Sequence, residues 1–205
     1  MNKKKTLVLV AHPHLADGSR VNARWARELQ KHPESIEVRD LAAEIAANDG
    51  IIDADAWHAA LEAHDTIVFQ FPVYWYSCPP VLRAWEDEVY TFGWSHGGER
   101  VLPGEPGRKM AGKKIAYAVS AGDAEEHYDA AGPVGFGVAQ VLAPFHATAN
   151  YLDATYVDAP WTLFGAEADL SDEELDRNAE GYAEWVLSRK RSARMGDSRK
   201  RVSIP

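Results

Sequence analysis

Three stretches of this chain combine polar, aromatic and small residues in ways that could serve a ligand. The first is His12-Pro-His-Leu-Ala-Asp-Gly-Ser-Arg-Val-Asn22, which follows the apolar run Thr6–Ala11 and leads into a helical pattern. A loop that opens a helix offers free backbone N–H groups and the positive end of the helix dipole, which suits a phosphate or another anion. Ser19 and Asn22 add hydroxyl and amide donors, and Arg20 adds a full charge. An ordinary helix cap by Asp17 or Ser19 is the competing use. The second stretch, Pro72-Val-Tyr-Trp-Tyr-Ser77, sets three aromatics between a strand-ending proline and the helix-starting pair Pro79-Pro80. They cannot all turn inward from such a turn, so Tyr74 or Trp75 is placed to stack on a planar ligand. The third is Ser120-Ala-Gly-Asp123, where Gly122 lets backbone come close to a ligand. Tyr128 follows, with a phenol able to donate to a carbonyl or an anionic ring nitrogen.

Other chemistry is less well supported. Gly107-Arg-Lys-Met-Ala-Gly112-Lys113 has phosphate-loop spacing, but Lys114 stands where Ser or Thr should hold magnesium, and the segment precedes a strand instead of following one. No G-x-G-x-x-G follows the first strand, so a dinucleotide fingerprint is absent. His12 and His14 have no neighbouring Cys, and no local carboxylate beyond Asp17, so no metal is expected. Cys78, the one cysteine, reads as a small buried hydrophobe, and it excludes an intrachain disulfide.

The elements that must position these stretches alternate. Thr6–Ala11, Ile36–Leu41, Thr66–Phe71, Lys114–Ser120 and Asn150–Val157 read as strands. Helices are expected over Val21–Gln30, with Val21, Trp25 and Leu29 as the buried stripe, and over 54–63, 81–90 and 137–145. A last helix opens at the capping box Ser171-Asp-Glu-Glu174 and carries Leu175, Tyr182, Trp185 and Val186. Alternation of this kind predicts an α/β fold with a mostly parallel sheet and helices on both faces. Ligands then bind beyond the carboxyl ends of the strands, which selects loops 12–22, 72–78 and 120–128. With 205 residues and 46% hydrophobic types, the chain can fill one core. The net charge of −9 argues against nucleic acid as a partner. Residues 189–205 hold seven basic side chains and one acid, a segment able to touch an anionic membrane or an acidic partner, and otherwise a solvated end. The basic start is followed by too short an apolar run for a signal peptide, and no stretch is long enough to span a membrane, so a reducing cytoplasm is expected.

One family joins these residues. A strand ending Ala11-His12, then Ser19 and Asn22, then Gln70-Phe-Pro-Val-Tyr-Trp75 with Leu82-x-x-Trp85, and then Ser120-Ala-Gly122 with Tyr128, resemble the flavodoxin-like NAD(P)H:quinone oxidoreductases over roughly residues 5–188. That group includes the DT-diaphorases and the ancillary proteins of Kef-type potassium efflux systems. The resemblance implies a three-layer α/β/α sandwich with five parallel strands in order 2-1-3-4-5, as a flavin-binding domain over residues 1–188 and a basic tail over 189–205. It implies FMN, with FAD as the alternative, NADPH or NADH as donor, a quinone or similar acceptor, and a homodimer to whose interface or site roof loop 90–101 (Tyr90, Phe92, Trp94) contributes. His12, Ser19, Arg20, Val21 and Asn22 would hold the flavin phosphate. Pro72, Val73, Tyr74, Trp75 and Tyr76 would line the ring, with the N–H of Trp75 or its neighbour near the flavin N5/O4 edge. Ser120, Ala121, Gly122 and Asp123 would face the pyrimidine edge. Tyr128, with the Gly122 backbone, would steady charge at N1/O2. Two departures stand out: Val134 occupies the place of a family histidine, and Asp123 that of a common glycine. The alternatives are a redox-active regulatory subunit of a potassium efflux transporter and a one-electron flavodoxin carrier.

Overall fold

An apolar run with no polar alternation forms a stable strand only where both faces are covered. The computed structural model, which describes residues 5–97, 107–168 and 170–189, shows this for three runs. β1 (Thr6–Val10) and β3 (Thr66–Pro72) are buried along their whole length, and β4 (Lys114–Ser120) is buried from its second residue on. β2 (Ile36–Asp40) is the half-exposed edge. All pairings are parallel and the order is β2-β1-β3-β4-β5, as the resemblance implies.

Alternate side chains of the sheet feed two cores. Leu7, Leu9, Phe69, Phe71, Tyr117 and Val119 face one layer, built from α3 (Leu41–Ala47), α4 (Ala54–Ala63), α5 (Pro80–Val89) and α7 (Ala143–Tyr151). Val8, Val10, Val68, Ala116 and Ala118 face the other, built from α2 (Val21–Leu29) and α8 (Asp172–Arg189). The stripe Val21, Trp25 and Leu29 is buried as expected. Pro80 occupies the first turn of α5, where a missing N–H costs nothing. The capping box forms too: the Ser171 N–H donates to Glu174 Oε2 at 2.8 Å, and the Glu174 N–H donates to Ser171 Oγ at 3.3 Å. Arg24 bridges α2 to α8 through Asp172 and Asp176, at 3.0 and 3.1 Å.

The strand expected over Asn150–Val157 is corrected. Asn150 and Tyr151 complete α7, because Ala149 and Leu152 pack into the core at helical spacing. Only Thr155–Tyr156 remains as β5. The fifth place in the sheet is shared by β6 (Trp161–Leu163), which pairs with β4 further along, at Ala118–Ser120. Pro160 and Ala159, whose φ is 61°, separate the two short strands. α1 (Leu15–Gly18), α6 (Val138–Val141) and a 3₁₀ turn at Glu125–His127 are the remaining elements of the described residues. Residues 98–106, which include the end of loop 90–101, and 190–205 of the basic tail lie outside the described residues; α8 itself runs through Arg189.

Candidate active site

The carboxyl ends of β1, β3 and β4 open onto two adjoining cavities. The first, of about 290 Å³, is lined by His12, Ser19–Asn22, Pro72, Val73, Tyr74, Ser120 and Gly122. The second, of about 650 Å³, is lined by Val73–Tyr76, Gly122, Asp123 and Tyr128. Every site residue expected from the sequence borders one or both, except Ala121. Ala121 is fully buried, its N–H donates to the Leu163 carbonyl at 2.8 Å, and its own carbonyl accepts from Ala166. The expectation that it faces a ligand edge passes to its neighbour Gly122.

The first cavity is rich in donors. Val21 and Asn22 begin α2, where N–H groups have no intrahelical acceptor. Ser19 Oγ accepts from the Ala23 N–H at 3.3 Å, so Ser19 caps the helix while lining the cavity. His12 is buried, and its Nδ1 accepts from the His14 N–H at 3.0 Å, which leaves the ring proton on Nε2. Burial, reinforced by His14, lowers the His12 pKa, so the ring is a neutral donor. Arg20 lines the cavity, with its guanidinium tied to the Leu170 carbonyl at 2.7 Å and to Asp172 at 3.6 Å.

Beneath this floor runs a polar chain anchored by Gln70, to which the sequence assigns no ligand role. Gln70 is fully buried on β3; its Nε2 donates to the Asn22 carbonyl at 3.0 Å and to Asn22 Oδ1 at 3.3 Å. Asn22 Nδ2 then donates to Ser120 Oγ at 3.0 Å. Strand β3, helix α2 and strand β4 are thereby locked together at the cavity floor. A glutamine inside an otherwise apolar strand was the available signal, since buried amides must find partners.

The second cavity is built on strained backbone. Tyr74 and Ser77 exchange N–H to carbonyl bonds, both at 3.0 Å, and between them Trp75 and Tyr76 have φ of 48° and 59°. This is a type I′ hairpin turn, which normally takes Asn and Gly because both central residues need positive φ. Here it carries an indole that is 94% exposed and a phenol that is half-exposed. The N–H groups of Trp75 and Tyr76 have no backbone acceptor among the described residues. Tyr128 stands opposite, between the Tyr76 ring at 6.4 Å and the Phe164 ring at 5.3 Å. Burial, then Tyr76 and Asp123, raise its pKa, so the phenol keeps its proton through the neutral range. Asp123 accepts from His127 Nδ1 at 2.7 Å and from the Ala124 N–H at 2.9 Å, which holds its carboxyl below the usual range and ties its charge to its own turn.

Other expectations resolve in place. Lys113 of the false phosphate loop donates to the His64 carbonyl at 2.6 Å, away from either cavity. Cys78 is buried, and burial raises its thiol pKa, as befits a core hydrophobe. In the loop expected at a roof or interface, Tyr90 packs on Trp85, and Trp94 stacks on His58 at 3.8 Å and donates to Glu62 at 2.8 Å. Phe92 remains exposed, and none of the three lines the site. Gly18, inside the expected loop 12–22, also lines it, whereas Ala166 and Glu167 line it without having been foreseen. Ala166 and Glu167 depend on β6, so nothing local in the sequence marks them.

The comparisons agree with this fold. A family model described as flavodoxin-like fold matches residues 4–186. General stress protein 14 of Bacillus subtilis (strain 168) is 40% identical over 182 residues, covering 89% of this chain and 97% of its own. A second protein of that organism, named uncharacterized NAD(P)H oxidoreductase YdeQ, is 39% identical over 188 residues, 92% of this chain and 89% of its own. The crystal structure of general stress protein 14 from Treponema denticola, in complex with FMN, superposes with a TM-score of 0.79 at 38% identity, over 90% of this chain and 98% of that one. Strand order and matches along nearly the full length converge, and the chain belongs to the flavodoxin-like fold family.

Proposed function

We propose that this chain is an FMN-dependent oxidoreductase that passes two electrons from NADPH or NADH to a quinone or a similar acceptor. The observation that carries the reading is the meeting of a donor-rich anion cradle and an aromatic wall at the carboxyl ends of the strands, in cavities that share Val73, Tyr74 and Gly122. The FMN-bound relative and the relative named for NAD(P)H support it.

The residues present fit FMN. Helix N–H groups, Ser19, Arg20 and the neutral His12 suit its phosphate, and the tethered Asn22–Ser120 pair gives the cradle a fixed floor. Tyr74, Trp75 and Tyr76 suit a flat ring, and the Trp75 and Tyr76 N–H groups are unspent donors at its edge. When bound, FMN supplies a centre that accepts a hydride from the nicotinamide and yields it to the acceptor. The chain's own part is positioning and polarisation. Tyr128 remains a neutral donor, able to lower the cost of negative charge that develops beside it. Asp123 is held by His127 and the Ala124 N–H, so its negative charge is fixed on its own turn.

Donor and acceptor using one open wall in turn gives ping-pong kinetics. The resemblance adds a homodimer, which light scattering tests directly. The cytoplasm is the expected compartment; among the described residues no helix is long and apolar enough to cross a membrane. The basic segment that motivated a transporter subunit lies, beyond Arg189, outside the described residues. The deciding experiment is the absorbance of the purified protein, loaded with FMN, as NADPH and then a benzoquinone are added. Flavin absorbance should bleach and then recover; a spectrum unmoved by NADPH and NADH alike would sink the reading.

A further inference from the structure

The backbone after β6 runs beside the exit of β4. The Gly165 N–H donates to the Asp123 carbonyl at 2.7 Å, and the Ala166 N–H to the Ala121 carbonyl at 2.9 Å. This pairing carries Glu167 across Gly122. A Cβ built on Gly122 would lie 2.9 Å from both the carboxyl carbon and Oε1 of Glu167, so the absence of a side chain at 122 makes room for the carboxylate. Glu167 borders both cavities, at the seam between the anion cradle and the aromatic wall. It is the one acid lining the first cavity, and Asp123, the other acid of the second, is engaged with His127. The Glu167 carboxylate has no hydrogen-bond or ion-pair partner among the described residues.

We propose that Glu167 binds the hydroxylated chain that joins the flavin ring to its phosphate. The inference rests on the flavin reading above and names the residue that serves the middle of the ligand. A ligand with its phosphate in the first cavity and its ring in the second must pass this seam. Arg20, the neutral His12 and the first N–H groups of α2 beside it are donors, so the hydroxyl protons of the chain need an acceptor, and a carboxylate is the strongest available. A phosphate facing Glu167 would be repelled; neutral hydroxyls are not.

Three flavins separate this from a structural role. Lumiflavin has the ring without the polyol chain, riboflavin adds the chain, and FMN adds the phosphate. Dissociation constants for flavin-free protein are read from quenching of flavin fluorescence. Glu167→Ala should weaken riboflavin and FMN by about tenfold, the scale of one hydrogen bond to a charged group, while lumiflavin changes less than about twofold. Glu167→Gln, which keeps one acceptor oxygen, should recover part of the riboflavin affinity. An equal loss for lumiflavin, as expected of a wall residue or of a bond to the ring's own N–H, overturns the proposal, and so does unchanged riboflavin binding. If wild-type protein binds neither riboflavin nor FMN, the flavin reading itself falls, an outcome distinct from wild-type binding that Glu167→Ala leaves untouched.

Discussion

Trp75 and Tyr76 hold backbone angles that side chains other than glycine rarely adopt, and each such position costs about 1–2 kcal/mol. Core packing does not explain the pair, because both side chains are exposed. Stability and ligand affinity should therefore move in opposite directions at this turn. In flavin-free protein, Trp75→Gly should raise the melting temperature by about 2–4 °C, the shift that roughly 1 kcal/mol produces in a chain of this size. The same substitution should weaken FMN binding; a lower melting temperature, or full affinity, would contradict the site placement.

Glu86 makes a second prediction at this scale. It is 4% exposed on α5, with Arg83 Nη1 2.7 Å from Oε2 and no well-directed hydrogen bond to either oxygen. Burial pushes its pKa up to about 7, against the pull of Arg83 and with the help of Asp87. The folded protein thus keeps a proton that the unfolded chain has lost, in the window from the ordinary 4.5 to about 7. Stability contributed by that proton is present in acid and disappears as pH rises through the window, by up to ~3 kcal/mol. Melting curves of wild type should drop from pH 5 to pH 8 more steeply than those of Glu86→Gln. Parallel curves would show that Glu86 is ionised throughout.

At the scale of elements, what could be read in advance were the pieces with strong local logic. Thr6–Val10 and Thr66–Pro72 are dominated by apolar residues with no polar alternation, and α2 and α8 carry a buried stripe and a capping box. β5 and β6 were misjudged because strands of two and three residues, partly exposed, leave no periodic trace. They exist because β4 offers an open edge, a fact belonging to the sheet and not to residues 155–163. Glu167 was hidden for the same reason. Tyr74 or Trp75 is expected to face a ligand because prolines bracket the turn, but its left-handed geometry has no signature in a Trp-Tyr pair.

The turn that holds Tyr128 depends on an element contact as well. A Cβ on Gly132 would lie 2.6 Å from the His127 carbonyl oxygen and 2.9 Å from that of Glu126, both backbone atoms of the 3₁₀ turn Glu125–His127. Backbone yields poorly, so Gly132→Ala should push this turn and Tyr128 away from Tyr76 and Phe164. We expect a fall in kcat for quinone reduction, with the melting temperature lowered by only a few degrees. Unchanged turnover would mean that the position of Tyr128 does not matter.

Over the whole molecule, the charge of −9 sets how anionic substrates arrive. Repulsion between exposed charges is screened beyond about 10 Å at 0.1 M salt. The KM for NADPH should therefore fall as ionic strength rises from about 10 to 150 mM, the reverse of a protein that attracts its substrate. A KM that rises with salt would reveal a local basic patch that outweighs the net charge. The family match over residues 4–186 supports the expectation that the folded unit lies ahead of the basic segment. A chain ending at Arg189 should keep its melting temperature and its FMN affinity; loss of either in thermal melts or flavin titration would assign the tail to the domain.

The seven tryptophans are not equivalent to a photon. Trp25, Trp57 and Trp85 are sealed in the interior, whereas Trp75 alone stands almost wholly in water. Iodide, which quenches by collision, should strip a red-edged component of the emission that belongs to this one indole. Filling the crevice should shield that component. The turn is thereby an optical gauge of occupancy that needs no label.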